Sequence, residues 1–334
     1  IAFEVPDALK KDYQFLSGQY LTFKVNIDGE EIRRSYSLCS APHENELRVA
    51  VKQVFKGKFS TYVNTEFKPG MSVEVMTPTG NFALNADKNN SKSYVLFASG
   101  SGVTPILSIL KTALLTEPNS DVTLFFGNKG FASVIFREEI EALKNQFMNR
   151  LRVVHLFSRE TIGNAIQKGR IDAPKVEALY DAFLKNIPID AVYVCGPEQM
   201  ISDVQKSLIA KGVDKSKIHY ELFTTPSSGK EKIGLPRNSP KIESNITVII
   251  DGEQVHLHLA STGQSVLDAA VQAGADLPFA CKGGVCCTCK AKIIEGSVSM
   301  DANYSLEVDE VEAGYILTCQ SHPTSDKLTI TFDE

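Results

Sequence analysis

Three cysteines, Cys281, Cys286 and Cys289, stand in the spacing C-x4-C-x2-C, and Cys319 follows further along the chain. This cluster constrains the fold more than any other feature, because a loop that gathers three thiolates over so short a span must curl tightly. Gly283 and Gly284 lie inside it. Without Cβ atoms, their backbone can bend close around a bound group and aim amides at its sulfurs. A C-x4-C-x2-C run with a distant fourth cysteine is the ligand pattern of a 2Fe-2S cluster, in which each tetrahedral iron takes two protein sulfurs and two bridging sulfides. Cys281, Cys286, Cys289 and Cys319 are the expected metal ligands; Cys287 breaks the spacing and is expected to point elsewhere. A zinc site is the alternative, but zinc sites usually show paired C-x2-C knuckles, and only Cys286 and Cys289 form one.

The remaining cysteines, Cys39 and Cys195, stand alone, and an odd, clustered set of seven argues for metal ligation in a reducing cytoplasm rather than a disulfide framework. Net charge is −5, yet residues 244–334 carry 13 acidic against 4 basic residues, a net −9 that leaves about +4 on the rest. That asymmetry marks an acidic module whose field steers it toward a basic partner surface, and nothing in it suggests nucleic-acid binding. With 334 residues, 43% hydrophobic and 22% charged, the chain has the composition of a globular protein of two or three domains, and three is the working count. The apolar stretches, such as Tyr94 to Ala98 and Ala191 to Cys195, are far short of a membrane span, and no charged-then-apolar leader opens the chain. A soluble, unexported protein with no membrane association is expected. Because the chain opens on Ile rather than Met, an early strand of the first domain is expected to be missing.

From Phe15 to Val75, short stretches of mixed polarity are broken by turns at Asp28-Gly29, Gly57 and Pro69-Gly70, which suggests an antiparallel β-barrel ending near residue 90. From Tyr94 the pattern changes to apolar strands alternating with amphipathic helices, the mark of an α/β domain with a doubly wound parallel sheet over residues 91–224. Expected strands are Tyr94–Ala98, Val122–Phe126, Val153–Phe157, Ala191–Val194 and Ile218–Leu222; expected helices are Ile106–Leu115, Phe136–Phe147, Val176–Leu184 and Gln199–Ala210. Prolines, serines and charges without apolar period make residues 225–243 a linker. Beyond it, Ile246–Ile250 and Val255–Leu259 flank Asp251-Gly252 as a hairpin, and a helix is expected over Ser265–Ala273.

Gly100-Ser-Gly-Val-Thr-Pro105 links the first apolar strand of the α/β domain to its first helix. Gly100 and Gly102 let the backbone approach a pyrophosphate; Thr104 is expected to cap the helix and Pro105 to occupy its first position, with free amides favouring an anion. The third glycine of the dinucleotide fingerprint is absent, and a plain strand-to-helix turn is the alternative. Cys195-Gly196-Pro197 ends a later strand, so both turns are expected at the carboxyl edge of one sheet, where ligands bind in this architecture. Cys195 is small and polarizable enough to pack near a nicotinamide ring. Gly127-Asn128-Lys129 offers no acid for ribose hydroxyls, whereas Ser158-Arg159 after the third strand suits a 2′-phosphate, which favours NADPH over NADH.

A hydride donor gives two electrons together and a 2Fe-2S cluster takes one, so a chain holding both sites needs a carrier able to do each, and a flavin meets that need. The candidates are Arg34-Ser-Tyr-Ser37 and Gly57-Lys-Phe-Ser60. Arg34 can neutralise a pyrophosphate, Tyr36 can stack on a flat ring, Ser37 can hydrogen-bond near the reactive flavin nitrogen, and Gly57, Phe59, Ser60 and Thr61 can offer amides and hydroxyls to phosphate. Tyr36, Ser37 and Cys195 are the residues expected where hydride passes.

In the order R-x-Y-S, G-x-x-S, G-x-G-x-T-P, C-G-P, these motifs resemble the ferredoxin-NADP reductase superfamily over Phe15 to Phe223. Pro78-Thr-Gly-Asn-Phe82 is similar to the family's turn closing the FAD barrel, and Glu221-Leu-Phe223 to the strand end that returns toward the flavin. "PFACKGGVCCTCK" and "ILTCQ" resemble the plant-type ferredoxin signature and imply an α+β, β-grasp domain over residues 244–334. The layout, with "RRSYSLCSAP" and "FFGNK", is similar to the reductase components of phenylacetyl-CoA epoxidase complexes. There Cys39, just past R-x-Y-S, would present an amide and a small side chain to the flavin. The resemblance implies FAD rather than FMN, electron flow from NAD(P)H through FAD to the cluster, and a redox partner that is a diiron oxygenase or epoxidase component. Reductases of hybrid-cluster proteins, ring hydroxylases or heme proteins share the layout, and a non-catalytic redox-sensing module is the alternative from another class.

Overall fold

The computed structural model describes residues 1–160, 163–224 and 241–333. Most of the expected linker, residues 225–240, lies outside the described residues. Two compact units form: one from Ile1–Ile32, Tyr36–Pro78 and Phe82–Phe223, the other from Thr224–Glu334 with the short pieces Arg33–Ser35 and Thr79–Asn81.

The first unit opens on a hairpin. Tyr20–Ile27 and Glu30–Ser37 are joined by Asp28 and Gly29, both at positive φ (55° and 83°), the turn whose twist matches that of paired strands. Glu74–Val75 pairs antiparallel with the first of these strands, and Ala2–Phe3 pairs antiparallel with Leu47–Arg48. Leu21, Phe23, Ile32, Leu38, Val49, Phe59 and Val63 gather in one core beneath them. One segment departs from expectation: Gly57 does not break strands but precedes a helix, Lys58–Glu66. Phe59 and Val63, four residues apart, share its buried face, and a single buried turn of this kind is too short to read against surrounding strand-like residues.

The α/β part of this unit has five parallel strands in the spatial order Ile218–Glu221, Ala191–Cys195, Ser93–Ser99, Asp121–Asn128, Leu151–Phe157. Along Ser93–Ser99, Tyr94, Leu96 and Ala98 enter one core with Ile106, Leu110, Ile140 and Leu143, while Val95 and Phe97 enter another with Val176, Val204 and Leu208. Helices Val103–Thr116 and Arg137–Gln146 thus cover one face, Ala173–Leu179 and Glu198–Ala210 the other. Coverage on both faces explains why the strands read as continuous apolar runs. Chain order reverses between Ser93–Ser99 and Ala191–Cys195, which makes the crevice beyond their carboxyl ends the ligand position of this topology.

In the second unit, Glu243–Ile250 and Glu253–Ala260 pair antiparallel through Asp251 (φ 51°) and Gly252 (φ 75°). Lys327–Thr331 joins Glu243–Ile250 in parallel, and Lys290–Glu295 and Tyr315–Leu317 complete a mixed five-stranded sheet. Ser265 caps the helix Val266–Gln272 by accepting the Asp268 amide at 3.2 Å. Between that helix and Lys290 the chain runs without regular structure, and there the cysteine loop sits.

Candidate functional site

The two nucleotide-type turns meet at the reversal point. A single 3-10 turn, Gly100–Gly102, runs straight into the helix Val103–Thr116. A Cβ on Gly102 would lie 2.2 Å from the Cys195 carbonyl oxygen and 2.9 Å from the Gly196 nitrogen, so only glycine permits this approach. Gly196 follows the strand end and Pro197 precedes the helix Glu198–Ala210. Two details of the turn differ from expectation. Thr104 does not cap the helix: its hydroxyl donates to Ser101 O at 3.0 Å from within the first turn. Pro105 is the third helical residue rather than the first, because the helix starts at Val103; its missing N–H still falls among groups without an intrahelical partner. Ser158 and Arg159 are exposed just past Leu151–Phe157, with their amides bonded to Asn128 O (3.0 Å) and Lys129 O (2.9 Å).

Ser37 reaches this sheet edge from the other part of the unit. Its hydroxyl donates to Glu221 Oε2 at 3.1 Å, joining residues 184 positions apart. Glu221 ends the outermost strand in register with Cys195. Burial pushes the Glu221 carboxyl up to about 8, and the Ser37 bond only partly offsets it. Near neutral pH the group is therefore largely a neutral acid, able to donate as well as accept. Burial, with the neighbouring Glu221 acting in the same direction, pushes the Cys195 thiol well up, so it is a neutral packing atom and not a thiolate. Glu221 was legible in the sequence only as part of a strand-end resemblance. The one local signal was an acid closing the last strand of the parallel sheet.

Tyr36 is half-buried, its ring stacked on Phe59 (5.5 Å between centroids, 24° between planes) and set edge-on to Phe23. Gly57 precedes the helix Lys58–Glu66, so the amides of Lys58, Phe59 and Ser60 lie in a first turn that offers them no helical carbonyl, a setting that suits phosphate oxygens. The Ser60 hydroxyl is engaged locally, accepting the Val54 amide at 3.0 Å, and Thr61 is half-buried one residue on. Arg34 is exposed, its guanidinium donating to Arg33 O at 2.7 Å. Cys39 corrects the expectation for it: its amide donates to Arg48 O at 2.8 Å and its side chain is wholly buried in the core, so neither is free to face a flavin. An aromatic ring, a hydroxyl on a neutral buried acid, and a helix N-terminus within one lobe fit the ring and phosphate ends of a flavin nucleotide.

The four expected ligand cysteines come together as two pairs. Cys286 Sγ lies 3.1 Å from Cys281 Sγ, and Cys289 hydrogen-bonds Cys319. The Cys286 thiol and the amides of Gly283, Cys286 and Val285 donate to Cys281 and pull it toward the thiolate, against the effect of burial. Cys319 is likewise lowered by its bond from Cys289 and by Gln320. Thr318 ties the second pair by donating its amide (3.1 Å) and hydroxyl (2.9 Å) to Cys289 O. Gly284 takes φ +73°, which lets the loop fold back beside Ala302. Cys287 is buried, with its carbonyl accepting the Lys290 amide at 3.0 Å. Among the described residues, no three His, Cys, Asp or Glu side chains gather as ligands of one ion. Two thiol pairs with amides aimed at sulfur suit one pair per iron of a two-iron cluster better than a single zinc.

The chain belongs to the oxidoreductases that join FAD-binding, NAD-binding and 2Fe-2S domains in one polypeptide. Residues 2–84 match the oxidoreductase FAD-binding domain, 96–206 the oxidoreductase NAD-binding domain, and 248–324 the 2Fe-2S iron-sulfur cluster binding domain. It is 41% identical over 334 residues to a component of the 1,2-phenylacetyl-CoA epoxidase of Escherichia coli K12, covering all of this chain and 93% of that one. The ferredoxin reductase component of 3-ketosteroid-9-alpha-monooxygenase from Rhodococcus rhodochrous is 33% identical, with 99% and 92% covered. Phthalate dioxygenase reductase, a solved structure, shares the fold with a TM-score of 0.55 at 22% identity, over 95% of this chain and 88% of that one. The protein is thus an electron-transfer reductase that uses FAD, a nicotinamide nucleotide and a 2Fe-2S cluster, related to reductases of oxygenase systems. Among the described residues, no helix is long and apolar enough to cross a membrane.

Proposed function

We propose that this chain supplies electrons to a diiron epoxidase component acting on phenylacetyl-CoA in the breakdown of phenylacetate, with NADPH as its preferred reductant. The bond from Ser37 to Glu221 carries the mechanistic part of this reading, because it ties the flavin-side strand to the edge where Gly102 and Cys195 touch. The partner rests on the likeness to the Escherichia coli epoxidase component. A bound flavin would supply the change from two-electron to one-electron chemistry, and a bound cluster would supply one-electron transfer.

The residues do the positioning. The Gly100–Gly102 turn and the first turn of its helix hold the nucleotide pyrophosphate through backbone amides and the helix dipole. Cys195 and Gly196 offer a small surface against which the nicotinamide lies flat. Ser37, its hydroxyl oriented by Glu221, would hydrogen-bond the flavin, and the neutral Glu221 carboxyl would bring no uncompensated charge to it. Tyr36, backed by Phe59, would support the ring, and the Lys58–Ser60 amides would take FAD phosphate oxygens. Ser158 and Arg159 take the 2′-phosphate that distinguishes NADPH. Cys281, Cys286, Cys289 and Cys319 would hold the cluster irons through their thiolates.

The domain division that accompanies this function is a FAD-binding β-barrel over 1–90, a nucleotide domain over 91–224, a linker over 225–243 and a β-grasp ferredoxin domain over 244–334. The odd, clustered cysteine set, spaced for metal ligation, supports a reducing, cytoplasmic setting. The test is anaerobic: NADPH should bleach flavin and iron-sulfur absorbance promptly, and the reduced protein should support turnover of a purified phenylacetyl-CoA epoxidase component. Slow bleaching in the loaded protein sinks the reductase mechanism. Prompt bleaching without epoxidase turnover, or turnover with a ring-hydroxylase component instead, sinks the assigned partner.

A further inference from the structure

The helix that opens at the nucleotide turn carries a buried cation two turns further along. Lys111, 2% exposed, places Nζ 2.7 Å from Glu44 Oε2 and 2.9 Å from Glu139 Oε1. Glu139 Oε1 also receives Arg48 Nη2 at 3.0 Å. Lys111 and Glu139 stand on the two helices covering one face of the parallel sheet, whereas Glu44 and Arg48 belong to the segment that follows Ser37. Two ionic ties, Lys111 to Glu44 and Arg48 to Glu139, therefore cross between the flavin-side lobe and the nucleotide lobe.

The segment between Ser37 and Arg48 is stitched to itself. Ser40 Oγ accepts the Arg48 amide at 3.1 Å and donates to Glu46 O at 2.6 Å, the Cys39 amide donates to Arg48 O, and Glu44 Oε2 accepts the Ala41 amide at 2.6 Å. Burial works against the Glu44 charge, but bonds from Lys111 and Ala41 hold its carboxyl below the usual range. One helical turn before Lys111, Ser108 Oγ donates to Ser40 O, a third crossing tie. Ser37 thus sits at one end of a stiff segment and the ion pairs at the other.

Burying an ammonium against two carboxylates that stay partly open to solvent is a poor route to stability, since well-packed apolar side chains often serve as well or better. What ionic contacts supply is direction: Nζ must point at two oxygens from different elements at once. Lys111 is nine residues beyond Gly102 on one helix, about 13 Å along a rigid rod, so a shift at Lys111 is passed to the nucleotide turn. We infer that Glu44, Arg48, Lys111 and Glu139 form a latch that fixes the spacing between Ser37 and the Gly100–Gly102 turn, which makes Lys111 a positioning residue for hydride transfer. This rests on the function proposed above.

The cleanest perturbation is Glu44→Gln with Arg48→Gln. It removes one charge of each sign, takes the charge from both ionic crossing ties and leaves Lys111 paired with Glu139, so no buried charge is orphaned. FAD content and the dissociation constant for NADP⁺ should stay within twofold of the parent. Hydride transfer, followed as flavin bleaching by saturating NADPH or NADH in an anaerobic stopped-flow, should slow about tenfold or more, since a misplacement of about 1 Å costs up to about a hundredfold. The long-wavelength charge-transfer band formed by NADP⁺ with the reduced protein should weaken in parallel, a spectroscopic readout that loss of fold stability alone does not move. Lys111→Met, which removes the shared cation, should do the same with a larger fall in thermal midpoint; if it fails to fold, the double variant carries the test alone. Parent-like bleaching and an unchanged band in the double variant overturn the latch while leaving the reductase function standing. If the parent itself is not bleached by either nucleotide, the function and the latch fall together.

Discussion

Gly102→Ala tests the geometry of the site most directly. The added Cβ would meet Cys195 O at 2.2 Å and Cys195 C at 2.5 Å, both backbone atoms that no rotamer change can move aside. Restoring ordinary van der Waals contact requires the two turns to part by roughly 1 Å, and overpacking of this kind typically costs about 1–3 kcal/mol of stability. A displacement of that size between nucleotide turn and nicotinamide-facing strand end should slow flavin bleaching by about a hundredfold. It should also weaken nucleotide binding, measured by titration with NADP⁺. Gly100→Ala is the comparison. Nothing lies within 4 Å of its Cβ, but φ is +56°, so the cost is left-handed strain of about 1–2 kcal/mol without any parting of the turns. Thermal unfolding should therefore rank the two variants closely, while stopped-flow bleaching should separate them, with Gly102→Ala much the slower. A Gly102→Ala protein that binds NADP⁺ and bleaches like the parent would refute the close approach of the two turns as the basis of the site.

Glu221→Gln should change how stability depends on pH. Because the folded carboxyl is raised from 4.5 to about 8, the native state holds its proton more tightly than the unfolded chain, so stability is greatest below the ordinary carboxylate range and falls as pH rises toward 8. The fall is at most about 5 kcal/mol for a shift of this size, and denaturant unfolding at pH 5 and pH 9 should show it in the parent but not in the variant; equal slopes would refute the buried neutral acid. Cys289→Ser should leave NADPH able to bleach flavin while electron delivery to the partner fails, and retained delivery would mean that electrons leave from the flavin. Arg159→Ala should lower kcat/KM for NADPH about tenfold or more and leave NADH nearly untouched, as expected for loss of a charge-assisted phosphate contact; equal losses for both nucleotides would remove Arg159 from 2′-phosphate recognition.

Much of this protein was legible in order along the chain, because the legible parts are local. Three cysteines at fixed spacing need only a tight loop, and a glycine-rich turn between an apolar strand and a helix needs only its own backbone. The alternation of apolar runs with amphipathic segments is written in the period of each element. The helix after Gly57 is hidden from such patterns because the only apolar side chains it buries are Phe59 and Val63, and Thr104 is no cap because the preceding 3-10 turn lets the helix start early. Tertiary structure decided what no local pattern encodes. The pairing of Cys289 with Cys319, the bond from Ser37 to Glu221 across 184 positions, and the convergence of Glu44 and Glu139 on Lys111 depend on how the elements pack, which brings distant residues together. The sequence alone determined which cofactors this chain is built to hold, since each is recognised by a short run of backbone and ligands. How Ser37 is set against the nucleotide turn emerged only from the folded unit, because that spacing is a property of packed elements and not of any segment.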